Sequence, residues 1–375
     1  PMARAMDLGD CHEEAGHSAE YTLPALLAAT GLKKQVTGKE LITAFVVGQE
    51  VLIRIGIAFK RIRGITSGRG RGHYIFGPVA AVGKLLGMGQ EDLENAEGIA
   101  REKTQPHDLV MYKPATLMVR VHHGFVCQDA ITACLLARRG ITGPRHEVLV
   151  GPGGYLEFAK WETEPAALTR DLGETWEMAG TMMKPFCSCK CTHTSVGGIL
   201  EQEAERGFGA GDIASIHVDA STHIWNTVCI PREVRWDPRT VPECQFSLPY
   251  AVAAAAFDGS LFLDSYTPES MARPELRALI SRTTVREDRD LAPFAARVTT
   301  ALKDGRRYSG QYEYVKGHPR NPFTEADLAD KFRRCAAYSA YRLGDAVVDS
   351  LIKILLHLEN VDDVEKALLV PLTPG

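Results

Sequence analysis

The sequence predicts a mostly α-helical protein that carries an α+β portion between two helical stretches. Residues 20–180 show one helical pattern after another, and residues 181–320 mix strand patterns with helices. A capping box formed by Thr324 and Asp327 then starts helix again. The simplest architecture is a helical domain, residues 1–180 and 321–375, interrupted by an α+β domain, residues 181–320.

The first helices follow from apolar periodicity and helix end signals. Thr37 and Glu40 form a capping box before residues 41–59, a stretch that is apolar nearly all round and should form a buried helix. Within it Glu50 and Arg54 are spaced to form an ion pair. Further helices are expected at residues 23–29, 79–86, 92–100 and 121–138.

Strand signals begin after residue 180. The dipeptide Asp304-Gly305 lies between two alternating runs, which predicts a β-hairpin. The other expected elements are strands at residues 213–220 and 283–286, helices at 248–257 and 274–281, a linker at 317–322 and helices from 324 to about 369.

Composition and charge exclude several classes of function. The net charge of −4 and the pI near 6.3 give no electrostatic basis for binding nucleic acid. The longest apolar runs, residues 41–47 and 250–257, are too short to span a bilayer, and residues 1–10 lack the apolar core of a signal peptide. The nine scattered cysteines indicate reduced thiols, so we expect a cytoplasmic protein that binds neither nucleic acid nor membranes.

The densest group of titratable residues is MMKPFCSCKCTH at residues 182–193. Two interpretations compete: a metal site made of thiolates and imidazole, or a cationic active-site wall in which Lys184 holds an anionic substrate. In an extended chain the alternating Cys187, Cys189 and Cys191 would all face one side, but this is not the spacing of a zinc site. We therefore expect no metal, and two of the three cysteines fit simple buried apolar positions.

Three other segments carry candidate groups. Residues 7–17 combine aspartate, histidine and glutamate, although a polar helix start is the simpler interpretation. The glycine-rich residues 70–74 precede an apolar helix and could bind an anion through backbone amides. Lys113 lies before a helix that contains His122 and His123, and a solvated lysine is the simpler interpretation there.

The chemistry of these groups points to proton abstraction. The motifs of serine hydrolases, zincins and thioredoxin-like proteins are absent from the sequence. Aspartate, histidine, lysine and arginine together suit removal of a carbon-bound proton next to a carboxylate. Cations would stabilise the enediolate while an acid assists the leaving group.

Taken together, several motifs resemble the MmgE/PrpD superfamily, which contains 2-methylcitrate dehydratase, cis-aconitate decarboxylase and iminodisuccinate epimerase. The matching pieces are residues 6–10 with His17, 23–27, 37–44 with Gln49, Glu50 and Arg54, 84–87, 140–144, 184–186 with His193, 246–250 with 258–259, and 304–305 with 321–324 and 331–332. The resemblance implies a large all-helical domain plus a smaller α+β lid, and a homodimer. It also implies that family members have further helical turns before the Asp10 motif.

The resemblance also assigns site residues position by position. The active-site aspartate falls on Asp10, the following histidine on His17, and the two lysines on Lys113 and Lys184. A further catalytic histidine falls on His73, or on Arg71 if no gap is allowed, and a decarboxylase histidine corresponds to Cys189. The expected substrate-binding residues are His12, Arg71, Tyr112, Cys189 and His193.

The leading expectation is a cofactor-independent lyase, a dehydratase that takes an α-proton from a small hydroxy-polycarboxylic acid such as a citrate-like compound. One of Asp10, His17 or His73 would take the proton, and Lys113 and Lys184 would bind carboxylates. One alternative is an epimerase or a decarboxylase acting on a related dicarboxylate or tricarboxylate. A second alternative is a family member without catalytic activity. We expect no metal or other cofactor, and a small carboxylate as the bound molecule.

Overall fold

A computed structural model describes residues 6–59, 71–104, 116–158 and 162–372 of the chain. Within these ranges the protein is mostly helical and contains a small mixed sheet, which confirms the coarse fold class. Tyr112 and Lys113 lie outside the described residues.

The N-terminal part consists of helices around one apolar core. They are α1 (Ala19–Ala29), α2 (Gly38–Ala58), α3 (Phe76–Leu85), α4 (Gln90–Arg101) and α5 (Met118–Ala137). The capping box at Thr37 is present, with the Thr37 side chain accepting from the backbone N–H of Glu40. The expected pair is also present, because Arg54 Nε lies 3.0 Å from Glu50 Oε2. Both features depend on residues about one helical turn apart, and both predictions are confirmed.

Helix α2 is long and apolar enough to cross a membrane by length and composition alone. The longest apolar run that the sequence shows within this helix, residues 41–47, is by itself too short to span a bilayer. Most of this apolar stretch is buried against other parts of the protein, as in the core helix of a soluble protein. Its packing, rather than its length, therefore explains its apolar character.

The stretch after α5 departs from the expected succession of helices. Among residues 138–158 and 162–180, the helical elements are α6 (Tyr155–Phe158) and short 3-10 turns at Pro165–Leu168 and Glu177–Gly180. Glycines in the left-handed region at Gly140, Gly151 and Gly153 interrupt regular helix here. A strand also precedes α1: β1 (Asp10–His12) pairs antiparallel with β2 (Thr181–Met183). Residues 1–180 are thus not all-helical.

The second part is built on a four-stranded sheet. Its strands are β3 (Ile213–Ser221), β4 (Thr283–Asp288), β5 (Ala296–Leu302) and β6 (Arg307–Tyr312), in the order β4-β3-β5-β6. Only β3 and β4 are parallel, and β5 and β6 form the expected hairpin, with Gly305 at a φ of +92°. The helices of this part are α7 (Lys190–Arg206), α8 (Thr222–Ile224), α9 (Arg232–Arg235), α10 (Val241–Gln245), α11 (Leu248–Asp258), α12 (Pro268–Ala272) and α13 (Pro274–Ser281).

The last helices are α14 (Glu325–Ala336), which starts with the expected capping box, and α15 (Asp345–Leu356). Leu351 and Leu368 are buried in the apolar core formed by the N-terminal helices. Backbone hydrogen bonds join Gly38 N to Val361 O at 2.7 Å and Val364 N to Val36 O at 2.9 Å. The C-terminal segment therefore packs against the start of α2, while the exact domain limits stay a prediction.

This contact gives a stability prediction at Gly38. A Cβ atom at this position would overlap the backbone carbonyl oxygen of Leu358. We expect Gly38→Ala to lower the free energy of unfolding by about 2 kcal/mol, because backbone cannot move aside easily. Gly31→Ala is the matched control, because a Cβ there would meet nothing within 4 Å. Equal unfolding midpoints for the two variants in denaturant would contradict the contact.

Candidate active site

A fully buried ion pair joins Asp7 to Lys184. Lys184 Nζ donates to Asp7 Oδ1 at 2.7 Å and lies 3.3 Å from the Asp7 carbonyl oxygen. Both side chains are 0% exposed, and Arg120 Nη1 lies 3.6 Å from the second carboxylate oxygen. Asp7 also has a φ of 52°, in the left-handed region, where strain often marks a functional position. The pair thus places a fixed cation in a water-poor environment.

Three elements hold Lys184 in place. It follows β2, and its backbone N–H donates to Gly9 O at 3.1 Å beside β1. Lys331 of α14 donates from Nζ to the carbonyl oxygens of Leu8 and Lys184, each at 2.8 Å. Burial lowers the pKa of Lys331 to about 8. The site therefore lies where β1, β2 and α14 meet.

Asp10 lies nearby, but its carboxylate accepts hydrogen bonds from residues at the start of α1. Its Oδ2 accepts from Ser18 N at 3.2 Å, Ser18 Oγ at 2.7 Å and Ala19 N at 3.0 Å. Burial raises the pKa of the Asp10 carboxyl, and the negative charge of Glu20 raises it further. The carboxylate that contacts Lys184 is thus Asp7, three residues before the aspartate to which the resemblance assigned the active-site role.

His17 has a hydrogen bond that defines its tautomer. Its Nδ1 lies 2.7 Å from the carbonyl oxygen of Asp10. A carbonyl oxygen only accepts, so Nδ1 carries a proton, and Nε2 is the ring nitrogen whose protonation changes when the ring titrates. The side chain is 17% exposed, so a small molecule can reach it. Nε2 of His17 is therefore suited to accept a proton from a substrate.

A buried histidine cluster, defined here as Glu20, Tyr21, His122 and His123, lies behind His17. Glu20 Oε2 lies 3.4 Å from His123 Nε2 and 3.8 Å from His17 Nδ1. The Tyr21 hydroxyl lies 3.1 Å from His122 Nε2. Residues from α1 and α5 thus form one continuous polar group beneath the candidate base.

His73 reaches this cluster through stacked rings. It is buried in the 3-10 turn Arg71–Ile75, with its ring centroid 5.2 Å from that of Phe59 and 4.4 Å from that of Tyr74. Tyr74 in turn stacks on Tyr21 at 4.5 Å. Arg71 belongs to the same turn. The structure therefore connects His73 to the buried histidine cluster through Tyr74 and leaves its catalytic role a prediction.

His12 has local backbone partners. Its Nδ1 accepts from the backbone N–H groups of Glu14 and Ala15, both at 3.2 Å. These bonds shape the turn between β1 and α1. The substrate-binding role expected for His12 stays a prediction.

The three cysteines do not form the extended row that alternation suggested. Cys191 lies in α7, and Cys189 is the residue that precedes it as N-cap. Cys187 and Cys191 are buried in the apolar core of the second part, and burial raises the pKa of the Cys187 thiol. A hydrogen bond between Cys189 and Cys191 lowers the pKa of Cys189 and raises that of Cys191. Only Cys189 is partly exposed among the three.

His193 is fully buried behind the start of α7. Its Nε2 donates to the carbonyl oxygen of Ser188 at 3.2 Å. Burial, with the positive charge of Lys184, lowers the pKa of His193 to about 3. The ring therefore stays neutral at physiological pH, and its substrate-binding role stays a prediction.

The sequence-predicted residues Asp10, His17 and Lys184 do lie in one region, around the pairing of β1 with β2. Sequence reasoning missed the roles of Asp7, Arg120, Lys331 and Glu20. Asp7 was inside a motif already singled out, so a weak signal existed for it. Lys331 likewise belonged to a matching piece of the resemblance, whereas no local signal distinguishes Arg120 or Glu20 from ordinary helix residues. In the described part of the chain, no group of three histidine, cysteine or acidic residues is arranged to hold a metal.

Comparison with known families and proteins gives independent evidence about the family of this chain. The model of the MmgE/PrpD N-terminal domain matches residues 1–165, and that of the MmgE/PrpD C-terminal domain matches residues 186–355. The cis-aconitate decarboxylase-like protein oryM of Aspergillus oryzae is 28% identical over 394 residues, covering 97% of this chain and 79% of that protein. Cis-aconitate decarboxylase of Aspergillus terreus is 27% identical, with 97% and 78% covered. The Homo sapiens cis-aconitate decarboxylase is 26% identical, with 96% and 75% covered. The two family matches together span most of the sequence in the expected order. The chain therefore belongs to the MmgE/PrpD family.

Proposed function

We propose that this protein is a lyase that acts on a small tricarboxylate, with decarboxylation of a cis-aconitate-like acid as the first candidate reaction. The observation that carries the proposal is the desolvated Lys184–Asp7 ion pair in the same region as His17, a partly exposed ring whose Nδ1 is held by the Asp10 carbonyl oxygen. The names of the relatives support the choice of reaction, because they are cis-aconitate decarboxylases aligned over nearly the whole chain.

The cation would act on the charge that develops during the reaction. An ammonium group has three N–H donors, and Lys184 uses two on Asp7 among the described residues. The third can bind a substrate carboxylate in a site from which water is largely excluded. There a fixed cation stabilises a developing enediolate far more than it would in water.

His17 would supply the proton transfer. In decarboxylation the carbon–carbon bond to the departing carboxylate breaks, its electron pair passes into the substrate, and carbon dioxide leaves. A protonated His17 Nε2 then gives a proton to the resulting carbanion. In dehydration the neutral Nε2 instead removes the α-proton, and an acid protonates the leaving hydroxide. The same cation and histidine therefore serve either reaction.

Dehydration of a hydroxy-tricarboxylate is the second candidate. The observation that favours it is Cys189 at the start of α7, where the resemblance places a histidine in the decarboxylases. A thiol whose pKa is lowered by its neighbour can act as the acid for a leaving group. A homodimer, a cytoplasmic location and the absence of a cofactor stay predictions.

Product identification tests the proposal. The purified protein would be incubated in deuterated water with a panel of citrate-like and cis-aconitate-like acids, followed by mass spectrometry and carbon dioxide measurement. We expect a product lighter by carbon dioxide and carrying one deuterium, with activity retained in chelator. A product lighter by water would select dehydration. If the protein neither turned over any acid nor exchanged deuterium into one, the proposal would be overturned and the non-catalytic alternative would remain.

A further inference from the structure

Glu20 is a buried carboxylate that lies between two histidines. Its side chain is 2% exposed, and that of His123 is 3% exposed. Glu20 Oε2 is 3.4 Å from His123 Nε2 on one side and 3.8 Å from His17 Nδ1 on the other. His17 is the more exposed histidine, at 17%. The geometry therefore connects one solvent-reachable ring to a carboxylate and a second ring that are closed to solvent.

The tautomers of these rings determine which nitrogen of each ring faces which partner. Nδ1 of His17 is held by the carbonyl oxygen of Asp10, so Glu20 lies on the side of the ring away from the base atom Nε2. His122 Nδ1 faces the Met118 carbonyl oxygen at 3.1 Å and carries its proton, which leaves its Nε2 to accept from the Tyr21 hydroxyl. His123 places Nε2 3.4 Å from the Glu20 carboxylate, where a proton on that nitrogen would form an ion pair with Glu20.

We propose that Glu20 is a positioning residue for His17 and, with His123, sets the pH range in which His17 exchanges protons. The inference rests on the proposed function only through the role of His17 as the group that exchanges a proton with the substrate. A negative charge about 4 Å from an imidazole stabilises its protonated form and raises its pKa by about one to three units when water is excluded. Glu20 thereby makes His17 a stronger base without touching the substrate.

Other charged and titratable groups also face this pair. Asp10 comes from β1, Tyr21 from α1, and His122 from α5, while Tyr74 stacks on Tyr21. The charge of Glu20 raises the pKa of Asp10, after burial as the larger cause. Replacing Glu20 with a neutral residue lets Asp10 ionise more readily, which partly compensates for the lost charge. The shift measured for His17 is therefore a lower bound on the effect of Glu20.

The substitution Glu20→Gln tests the inference, because it removes the charge and keeps the shape. We expect the limb of the pH profile of kcat/KM that reports His17 to move to lower pH by about one unit, with kcat reduced and KM little changed. This is the alkaline limb if His17 donates a proton, as in decarboxylation, and the acidic limb if it removes one, as in dehydration. Glu203→Gln is the control. Glu203 is also a carboxyl whose pKa is raised by burial, to about 8, but it lies near the C-terminal end of α7. Its substitution should leave the profile in place.

Nitrogen NMR of histidine-labelled protein gives a readout that does not need turnover. The His17 signals are assigned by their loss in His17→Asn, and we expect the His17 pKa to fall in Glu20→Gln. An unchanged His17 pKa in a folded Glu20→Gln protein overturns the inference. A lowered His17 pKa in a protein that turns over no tricarboxylate leaves the inference intact and removes the proposed function instead.

Discussion

Lys184→Met is expected to reduce kcat/KM by at least about 100-fold, because it removes the cation that stabilises the developing negative charge. The same change should lower the free energy of unfolding by about 3 kcal/mol. Asp7 would stay buried without the lysine that lies 2.7 Å from its carboxylate, and a buried charge that loses its partner is costly. Steady-state kinetics and denaturant unfolding measure the two effects separately.

The double variant Asp7→Asn/Lys184→Met separates catalysis from stability. It removes both charges, so we expect most of the unfolding free energy to return while activity stays low. Lys353→Met, at an exposed position of α15, is the control for loss of a lysine. Near-wild-type kinetics for Lys184→Met with an identified substrate would assign Lys184 a structural role only.

His17→Asn is expected to lower kcat by about 100- to 10,000-fold with little change in KM, because it removes the nitrogen that transfers the proton. The asparagine amide can still donate to the Asp10 carbonyl oxygen, so the local fold should persist. His357→Asn, at an exposed position, is the matched control. A loss smaller than tenfold would move the base elsewhere, with His73 as the next candidate.

Local features of this protein were predictable from sequence, and the reason is the short range of their interactions. The capping boxes at Thr37 and Thr324 each depend on residues within four positions, and Gly305 has the backbone conformation that its hairpin requires. The predicted types and bounds of the helices and strands therefore agree closely with the structure wherever the sequence signal lies within a few consecutive residues.

The ion pair at the site was not predictable in the same way. Asp7 and Lys184 are 177 positions apart, and nothing local separates Asp7 from Asp10 as its partner. The choice depends on the side to which the turn before β1 directs each carboxylate. Glu20 presents the same difficulty, because an acid in the first turn of a helix normally faces solvent and offsets the helix dipole. Only tertiary packing turns it into a buried group.

The hydrogen bonds from Lys331 to the carbonyl oxygens of Leu8 and Lys184 affect the order in which the protein folds during synthesis. They link positions 323 and 147 residues apart, and β1 also needs its partner β2 from far along the chain. Closing such long loops is entropically unfavourable and slow relative to helix formation. During synthesis Asp7 and Leu8 emerge early, while Lys184 follows 177 positions after Asp7 and Lys331 follows 323 positions after Leu8. Nascent chains that stop before α14 would therefore contain helices while the candidate site still lacks Lys331, so this site is completed in a late folding step.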